Sequence, residues 1–151
     1  SATMVSDLQE EFEPAPNGRL LRKAEAMVPA TPRTDAYTGR LWVLLSGWTY
    51  SGGAELASLL RQHTAAVFVG EECGGAFGGN SSGYSLTLTL PHSGIEVEVP
   101  LVRFALDVDA QDRARGVLPH HPVQPTAQDL LQGRDPVLDK ARALIEAGGA
   151  H

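Results

Sequence analysis

The strongest constraint on the fold of this chain is a pair of apolar segments with a helix-like segment between them. The first is RLWVLLS, residues 40–46, and the second is AAVFVG, residues 65–70. Leucines recur at helical spacing between them: Leu56, Leu59 and Leu60. Apolar runs without polar alternation are typical of parallel strands covered on both faces. We therefore expect an α/β fold with a strand–helix–strand unit and a right-handed crossover.

Two alternating segments further along predict an antiparallel hairpin. YSLTLTL, residues 84–90, alternates leucine with serine or threonine, and IEVEV, residues 95–99, alternates apolar residues with glutamate. The intervening PHSG is typical of a turn. Such alternation predicts a hairpin with one face in water. PLVRFAL, residues 100–106, favours a further strand.

Helix signals mark the carboxy-terminal part, and the amino-terminal part is poorer in them. Thr126 is a plausible cap for a short helix ending at Gly133. Asp135 before Pro136 predicts a second helix, which Gly148 closes. By contrast, residues 1–38 predict an irregular lead-in or linker, with one helix near residues 18–28. Residues 39–147 are expected to hold the folded domain.

Composition excludes several classes of protein. The net charge of -6, with lysine and arginine scattered along the chain, argues against a nucleic-acid partner. The longest apolar run, LWVLL, is far shorter than the ~18 residues of a membrane span. A single cysteine, Cys73, excludes an intramolecular disulfide and a zinc site built from cysteine pairs. We predict neither a metal nor a cofactor.

The segment GWTYSGGAELASLLRQH, residues 47–63, raises the main chemical question. Ser51 follows a predicted strand and precedes a predicted helix, where a serine most often caps the helix. Two glycines directly after it are poor helix formers, however, and they leave room for a substrate. Backbone amides at a helix amino end can also receive the negative charge of an oxyanion. Cap and nucleophile are therefore both open for Ser51.

Several motifs in the same order resemble the tail-specific, or carboxy-terminal-processing, serine peptidases, including the tricorn core protease and the modules of interphotoreceptor retinoid-binding protein. LWVLLSGWTYSGGAELASLL is similar to their nucleophile segment. VGEECGG resembles their glycine-rich loop, LPHSG their hairpin turn, and GVLPH their exit segment. The likeness implies the carboxy-terminal part of the catalytic domain, with a crotonase- or ClpP-like ββα spiral.

The resemblance assigns roles to individual residues. It implies that Ser51 is the nucleophile and that the Gly52 amide donates to the oxyanion. Asp112 is the best match to the family's acid and Asp109 the second. No lysine occurs between Lys23 and Lys140, which excludes a serine–lysine pair. The residues expected to bind substrate are Gly74, Gly75 and Asn80, although Asn80 serves equally well to end a loop.

The general base is not found at the expected place, because no histidine precedes His63. The tricorn-like branch implies a histidine well before the nucleophile, so we expect it in a missing amino-terminal part of the protein. The opening SATMVSDLQEEFEPAP reads as a cloning remnant followed by an internal segment, which also predicts a fragment. Alone, such a fragment is expected to be inactive. His120 and His121 point to opposite faces if they lie in a strand, which favours surface roles over metal ligation.

The expected function is hydrolysis of polypeptides or protein tails through an acyl-enzyme on Ser51. The alternative is a module of the same fold that binds a peptide or an apolar ligand without chemistry. Sheet edges left open by a missing part would be the cause of any homo-oligomer. The family is often exported, so the resemblance favours a periplasmic or extracellular location.

Overall fold

The computed structural model describes residues 10–26, 30–81, 83–109 and 115–148. The chain divides into two compact units, Ser1–Thr38 and Gly39–His151. The first unit contains an antiparallel hairpin of strands β1 (Phe12–Pro14) and β2 (Leu20–Arg22).

The helix predicted near residues 18–28 is wrong over its described part. Gly18 has a positive φ of 69° and lies in the turn that reverses the chain. The Ala15 amide donates to the Arg19 carbonyl, and the Lys23 amide donates to the carbonyl of Glu11. These long-range bonds hold the segment as a strand, and only a short 3-10 turn follows it at Ala24–Ala26.

The described residues of the second unit contain seven further strands and three α-helices. The strands are β3 (Trp42–Leu45), β4 (Val67–Gly70), β5 (Gly79–Asn80), β6 (Ser85–Thr89), β7 (Glu96–Pro100), β8 (Phe104–Ala105) and β9 (His121–Pro122). The helices are α1 (Gly52–His63), α2 (Ala127–Leu131) and α3 (Pro136–Gly148).

A parallel sheet with strand order β3-β4-β9 forms the centre of this unit. Trp42 pairs with Val67 and Leu45 with Gly70, so β3 and β4 run side by side over their full length. Helix α1 connects them, as predicted. The fold is therefore a mixed α/β arrangement of a three-stranded parallel sheet and antiparallel hairpins.

The core lies on both faces of β4. Phe68 is fully buried in a cluster with Leu45, Ala57 of α1 and Val117. Val69 points the other way, into a cluster with α3 residues Val137 and Ala141. β3 is covered less completely than predicted, since Leu44 remains exposed.

Helix α1 buries its small side chains fully, whereas of its three leucines only Leu60 packs against the core, and it is partly buried. Ala54, Ala57 and Ser58 face the core, and the Ser58 hydroxyl donates to the Ala54 carbonyl at 2.7 Å. Leu56 and Leu59, which define the helical spacing in the sequence, are exposed. The small side chains allow α1 to lie close to the sheet and to the loop after β4.

Strands β6 and β7 form the predicted hairpin, but its surroundings differ from the prediction. Leu86 pairs with Val99 and Leu88 with Val97 on one face of this two-stranded ribbon. The prediction of a single wet face is wrong, because the apolar residues of both strands are exposed as well. In the segment 100–106, Pro100 ends β7, and only Phe104 and Ala105 form a further strand, which pairs with β5.

The predicted helix caps near the carboxy terminus are confirmed. The Asp129 amide donates to the Thr126 hydroxyl, and Thr126 donates its own amide to the Asp129 carboxylate, which makes a capping box. Asp135 accepts the amides of Val137 and Leu138 at the start of α3. In the part of the chain that the structure describes, no helix is both long and apolar enough to cross a membrane.

Candidate active site

A hydrogen-bonded turn leads from the end of β3 to Ser51. The Thr49 amide donates to the Ser46 carbonyl at 2.9 Å, and the Ser46 amide donates to the Thr49 hydroxyl at 3.2 Å. The Trp48 amide donates to the Ser46 hydroxyl, also at 3.2 Å. These bonds fix the backbone on the amino-terminal side of Ser51.

Ser51 has a backbone conformation that side-chain-bearing residues rarely adopt. Its φ is 50° and its ψ is -129°, and among the described residues it is the only non-glycine with a positive φ. Such a conformation costs about 1–3 kcal/mol, which the surrounding structure must offset. A serine that caps a helix normally lies in the extended region. The conformation therefore distinguishes Ser51 from an ordinary cap.

The Ser51 hydroxyl also makes no cap hydrogen bond, and the residue is exposed. The capping interpretation, left open by the sequence, is therefore wrong for the side chain. The backbone carbonyl of Ser51 does enter the helix, because it accepts the Glu55 amide at 2.9 Å. The helix thus begins without using the hydroxyl, which stays accessible.

The Gly52 amide lies next to this hydroxyl in the chain, at the positive end of α1. The amides of Gly53 and Ala54 donate to the Tyr50 carbonyl, whereas the Gly52 amide donates to no backbone carbonyl of the described residues. An amide in this position can donate to an oxygen that gains negative charge. The Gly52 amide, the predicted oxyanion donor, is therefore not used by any backbone carbonyl of the described residues.

The glycine-rich loop after β4 packs directly against the serine turn. The Gly75 amide donates to the Thr49 carbonyl at 3.0 Å. A Cβ atom at Gly74 would lie 2.2 Å from the Gly47 carbonyl oxygen, and one at Gly75 would lie 2.5 Å from the Ala54 Cβ. Only glycine permits this close approach. The structure thus brings Gly74 and Gly75 together with the turn that carries Ser51.

A carboxylate holds the same loop from its other side. Glu72 accepts two hydrogen bonds from the Arg115 guanidinium, at 3.1 and 2.6 Å, and a third from the Gly116 amide at 3.1 Å. The Arg115 hydrogen bond is the main reason that the pKa of Glu72 lies below its ordinary value. The amides of Cys73 and Phe77 donate to the carbonyls of Val117 and Arg115. The loop is thus fixed on both sides.

Asn80 contacts the first turn of α1 instead of facing open solvent. Its side-chain amide donates to the Glu55 carboxylate at 2.5 Å, which connects β5 to α1. The side chain of Asn80, which the sequence predicts to bind substrate, is therefore already hydrogen-bonded to Glu55 in the first turn of α1. The contact gives Glu55 a positioning role that the sequence did not reveal.

Of the two candidate acids, Asp109 is described by the structure, and it is not brought to Ser51. Asp109 accepts a hydrogen bond from the Gln62 side-chain amide at 3.1 Å. Gln62 belongs to the last turn of α1, and a helix of 12 residues is about 18 Å long, so Asp109 lies near the opposite end of this helix. Asp112 lies outside the described residues.

No histidine of the described residues hydrogen-bonds to Ser51. His120 accepts the Phe68 amide on Nδ1 at 3.0 Å, and burial is the main cause that lowers its pKa, with smaller contributions from Arg61 and His121. Both His120 and His121 line an open cleft of about 390 Å³ beyond the carboxyl end of α1. Within the described ranges, no cluster of three or more histidine, cysteine or acidic residues could hold a metal ion.

Cys73 lies in the glycine-rich loop but is not a good nucleophile. Its side chain is buried, and burial raises the pKa of its thiol. A protonated, enclosed thiol reacts slowly.

A second open cleft, of about 460 Å³, lies between the end of β3 and the α2–α3 segment. Ser51 itself is exposed and lines neither of these two clefts.

An aromatic pair beside Ser51 was not identified from the sequence. Trp48 and Tyr50 meet edge to face, with ring centroids 6.1 Å apart and an interplanar angle of 65°. Both are exposed, Trp48 at 83% and Tyr50 at 50%. The spacing of two aromatics directly before the serine was the only available signal, and it does not reveal which way the rings point.

No protein-family model matches this chain, and no curated protein matches it significantly. The resemblance to the tail-specific peptidases therefore stays a prediction that depends on the motifs themselves.

Proposed function

We propose that the chain is the nucleophile-bearing part of a serine peptidase catalytic domain and that Ser51 attacks a peptide carbonyl. The backbone of Ser51 carries this proposal: a positive φ of 50° at the start of α1, with an exposed hydroxyl that caps nothing. Evolution keeps a conformation of this cost mainly where function needs it. A nucleophilic serine on a strained strand-to-helix turn is a known solution to presenting a hydroxyl, although here Thr49 replaces the usual first glycine of that motif.

The proposed chemistry is acyl transfer. The Ser51 Oγ forms a bond to the carbonyl carbon, and its proton passes to a general base. The Gly52 amide donates to the oxyanion while the C–N bond breaks, and the base returns the proton to the leaving amine. Water then attacks the ester and regenerates the serine. The products are two peptides, and no oxidant, metal or cofactor takes part.

A general base and an acid that orients it complete the proposed machinery. An unassisted hydroxyl is a weak nucleophile near neutral pH, so a base is required. Following the resemblance, we assign it to a histidine in an amino-terminal part of the same protein. We favour Asp112 as the acid over Asp109, because Asp109 is bonded to Gln62. The same reasoning favours a crotonase- or ClpP-like spiral for the complete domain and a periplasmic or extracellular location.

Chemical rescue tests the proposal on the chain itself. A fluorophosphonate labels serine hydroxyls that a base has activated, and added imidazole can substitute for a missing histidine. We expect imidazole to increase the labelling rate at Ser51, measured by peptide mass spectrometry, by at least about ten-fold, within the range of general-base catalysis. The Ser51→Ala variant should lose this labelling.

The matched control is Ser93→Ala, which removes an exposed serine from the turn between β6 and β7. This variant should be labelled at Ser51 as the unmodified chain is. Labelling of Ser51 no faster than that of Ser93, with and without imidazole, would contradict an activated nucleophile.

A non-catalytic module that binds a peptide or an apolar ligand is the second candidate. The exposed Trp48 and Tyr50 favour it, since they offer a binding surface whether or not Ser51 reacts. Peptide binding without imidazole-dependent labelling would make it the better description.

A further inference from the structure

The aromatic pair, Trp48 and Tyr50, is the most exposed large apolar feature in the immediate neighbourhood of Ser51. Trp48 lies three residues before the serine and Tyr50 is joined to it directly. The two rings are 6.1 Å apart and meet at 65°, so their surfaces form two sides of a corner. With 83% of Trp48 exposed, this corner is open to a ligand. Covering this indole would remove a large apolar surface from water, which favours binding.

The backbone under the pair is already ordered. The Trp48 amide is bound by the Ser46 hydroxyl, and the Tyr50 carbonyl accepts the amides of Gly53 and Ala54. A Cβ atom at Gly74 would lie 2.9 Å from the Tyr50 ring, so the ring rests against the bare backbone of this glycine. A ligand that binds here does not have to order these residues, which favours affinity.

The chemistry of the corner selects its occupant. Edge-to-face aromatic surfaces are best complemented by another aromatic ring or by a large aliphatic side chain. A nucleic-acid base is disfavoured as occupant because the chain has a net charge of -6. Tyr50 directly precedes Ser51 in the chain, and this adjacency favours an occupant that belongs to the same polypeptide as the attacked bond.

We infer that the aromatic pair is a specificity site, which binds an aromatic or large aliphatic side chain of the polypeptide next to the bond that Ser51 attacks. This inference rests on the proposed function for the identity of that bond, whereas the binding itself does not require catalysis. Trp48 and Tyr50 contact the substrate side chain and take no part in proton transfer.

The probe is an acetylated and amidated alanine pentapeptide whose central residue is either phenylalanine or serine. Binding is measured on the full chain with Ser51→Ala, to prevent turnover, and with Trp42→Phe, so that Trp48 is the only indole. We expect the phenylalanine peptide to shift the Trp48 emission to shorter wavelength and to bind about ten-fold more tightly than the serine peptide.

Variants of the pair are compared by the chemical-shift changes that each peptide causes at the amides of Gly52 and Gly53. Trp48→Ser should remove the preference for phenylalanine, and Trp48→Phe should largely restore it. Leu131→Ser is the matched control, because it removes a side chain that is 89% exposed on α2 and should leave the preference unchanged. Equal affinity for the two peptides, or a preference that survives Trp48→Ser, overturns the inference.

The two proposals fail in different experiments. Imidazole-dependent labelling of Ser51 without any preference for the phenylalanine peptide overturns the specificity site alone. A clear preference that depends on Trp48, without such labelling, overturns catalysis alone.

Discussion

The parallel sheet and the β6–β7 ribbon contain similar apolar side chains in very different surroundings. In β4, Phe68 is covered from one side by α1 and Val69 from the other side by α3. In the ribbon, the paired Leu88 and Val97 have no helix over them within the described structure, and Leu88 is 57% exposed. Two-stranded ribbons alone are marginally stable in water. The sequence alternation of a strand therefore indicates which face is apolar and not what covers it.

The largest expected effect tests the buried side of this comparison. Phe68→Ala removes a fully buried ring between β4 and α1, and the loss of burial together with the cavity should lower the free energy of unfolding by about 3–5 kcal/mol. Urea denaturation of the full chain, followed by circular dichroism, measures this loss. A cost below about 1 kcal/mol would show that the α1 face of the sheet is loosely packed in solution.

Glycine substitutions probe the two regions through their backbones. Gly70 has a φ of 124°, and an added Cβ would lie 2.1 Å from the Leu45 carbonyl oxygen, so Gly70→Ala should cost about 3 kcal/mol. Gly94, in the ribbon turn, has a φ of 68° and open space around it. Gly94→Ala should therefore cost only about 1 kcal/mol, the steric penalty of that conformation. Thermal unfolding compares the pair, and equal shifts in Tm would contradict the ranking.

The smallest expected effect comes from the apolar face of the ribbon. Leu88→Ala should lower the free energy of unfolding by less than about 1 kcal/mol, because the side chain is already largely in water. The same change in the sheet, Leu45→Ala, is the control and should cost about 2–5 kcal/mol, since Leu45 is 3% exposed. Equal costs in urea denaturation would mean that another surface covers the ribbon in solution.

Local signals in the sequence predicted the elements whose stability is local. The capping box of Thr126 and Asp129 and the cap at Asp135 depend on residues within a few positions of each other. The hairpin register follows from alternation and from the turn between β6 and β7. The wrong helix near residues 18–28 illustrates the opposite case. There, contacts with β1 across a turn outweigh the weak helical propensity of a short segment.

In the candidate site, the close approach of the loop after β4 was predictable from its glycines. Gly74 and Gly75 mark a loop that approaches another backbone closely, and this loop does pack against the serine turn. The location of Asp109 was not predictable, since it depends on how the chain returns past α1 to Gln62. The set of α1 side chains that is buried was not predictable for a related reason. Its leucines indicate a helix, but close packing against the loop requires the small Ala54 and Ala57 instead.

The torsion angles of Ser51 oppose two properties at a single position, the presence of a hydroxyl group and the stability of the fold. Glycine would adopt a φ of 50° without steric cost, so Ser51→Gly relaxes the backbone while it deletes the hydroxyl. A lineage that no longer needed the hydroxyl would gain folding stability by this single replacement. The serine at this position therefore gives up folding stability in exchange for a hydroxyl group.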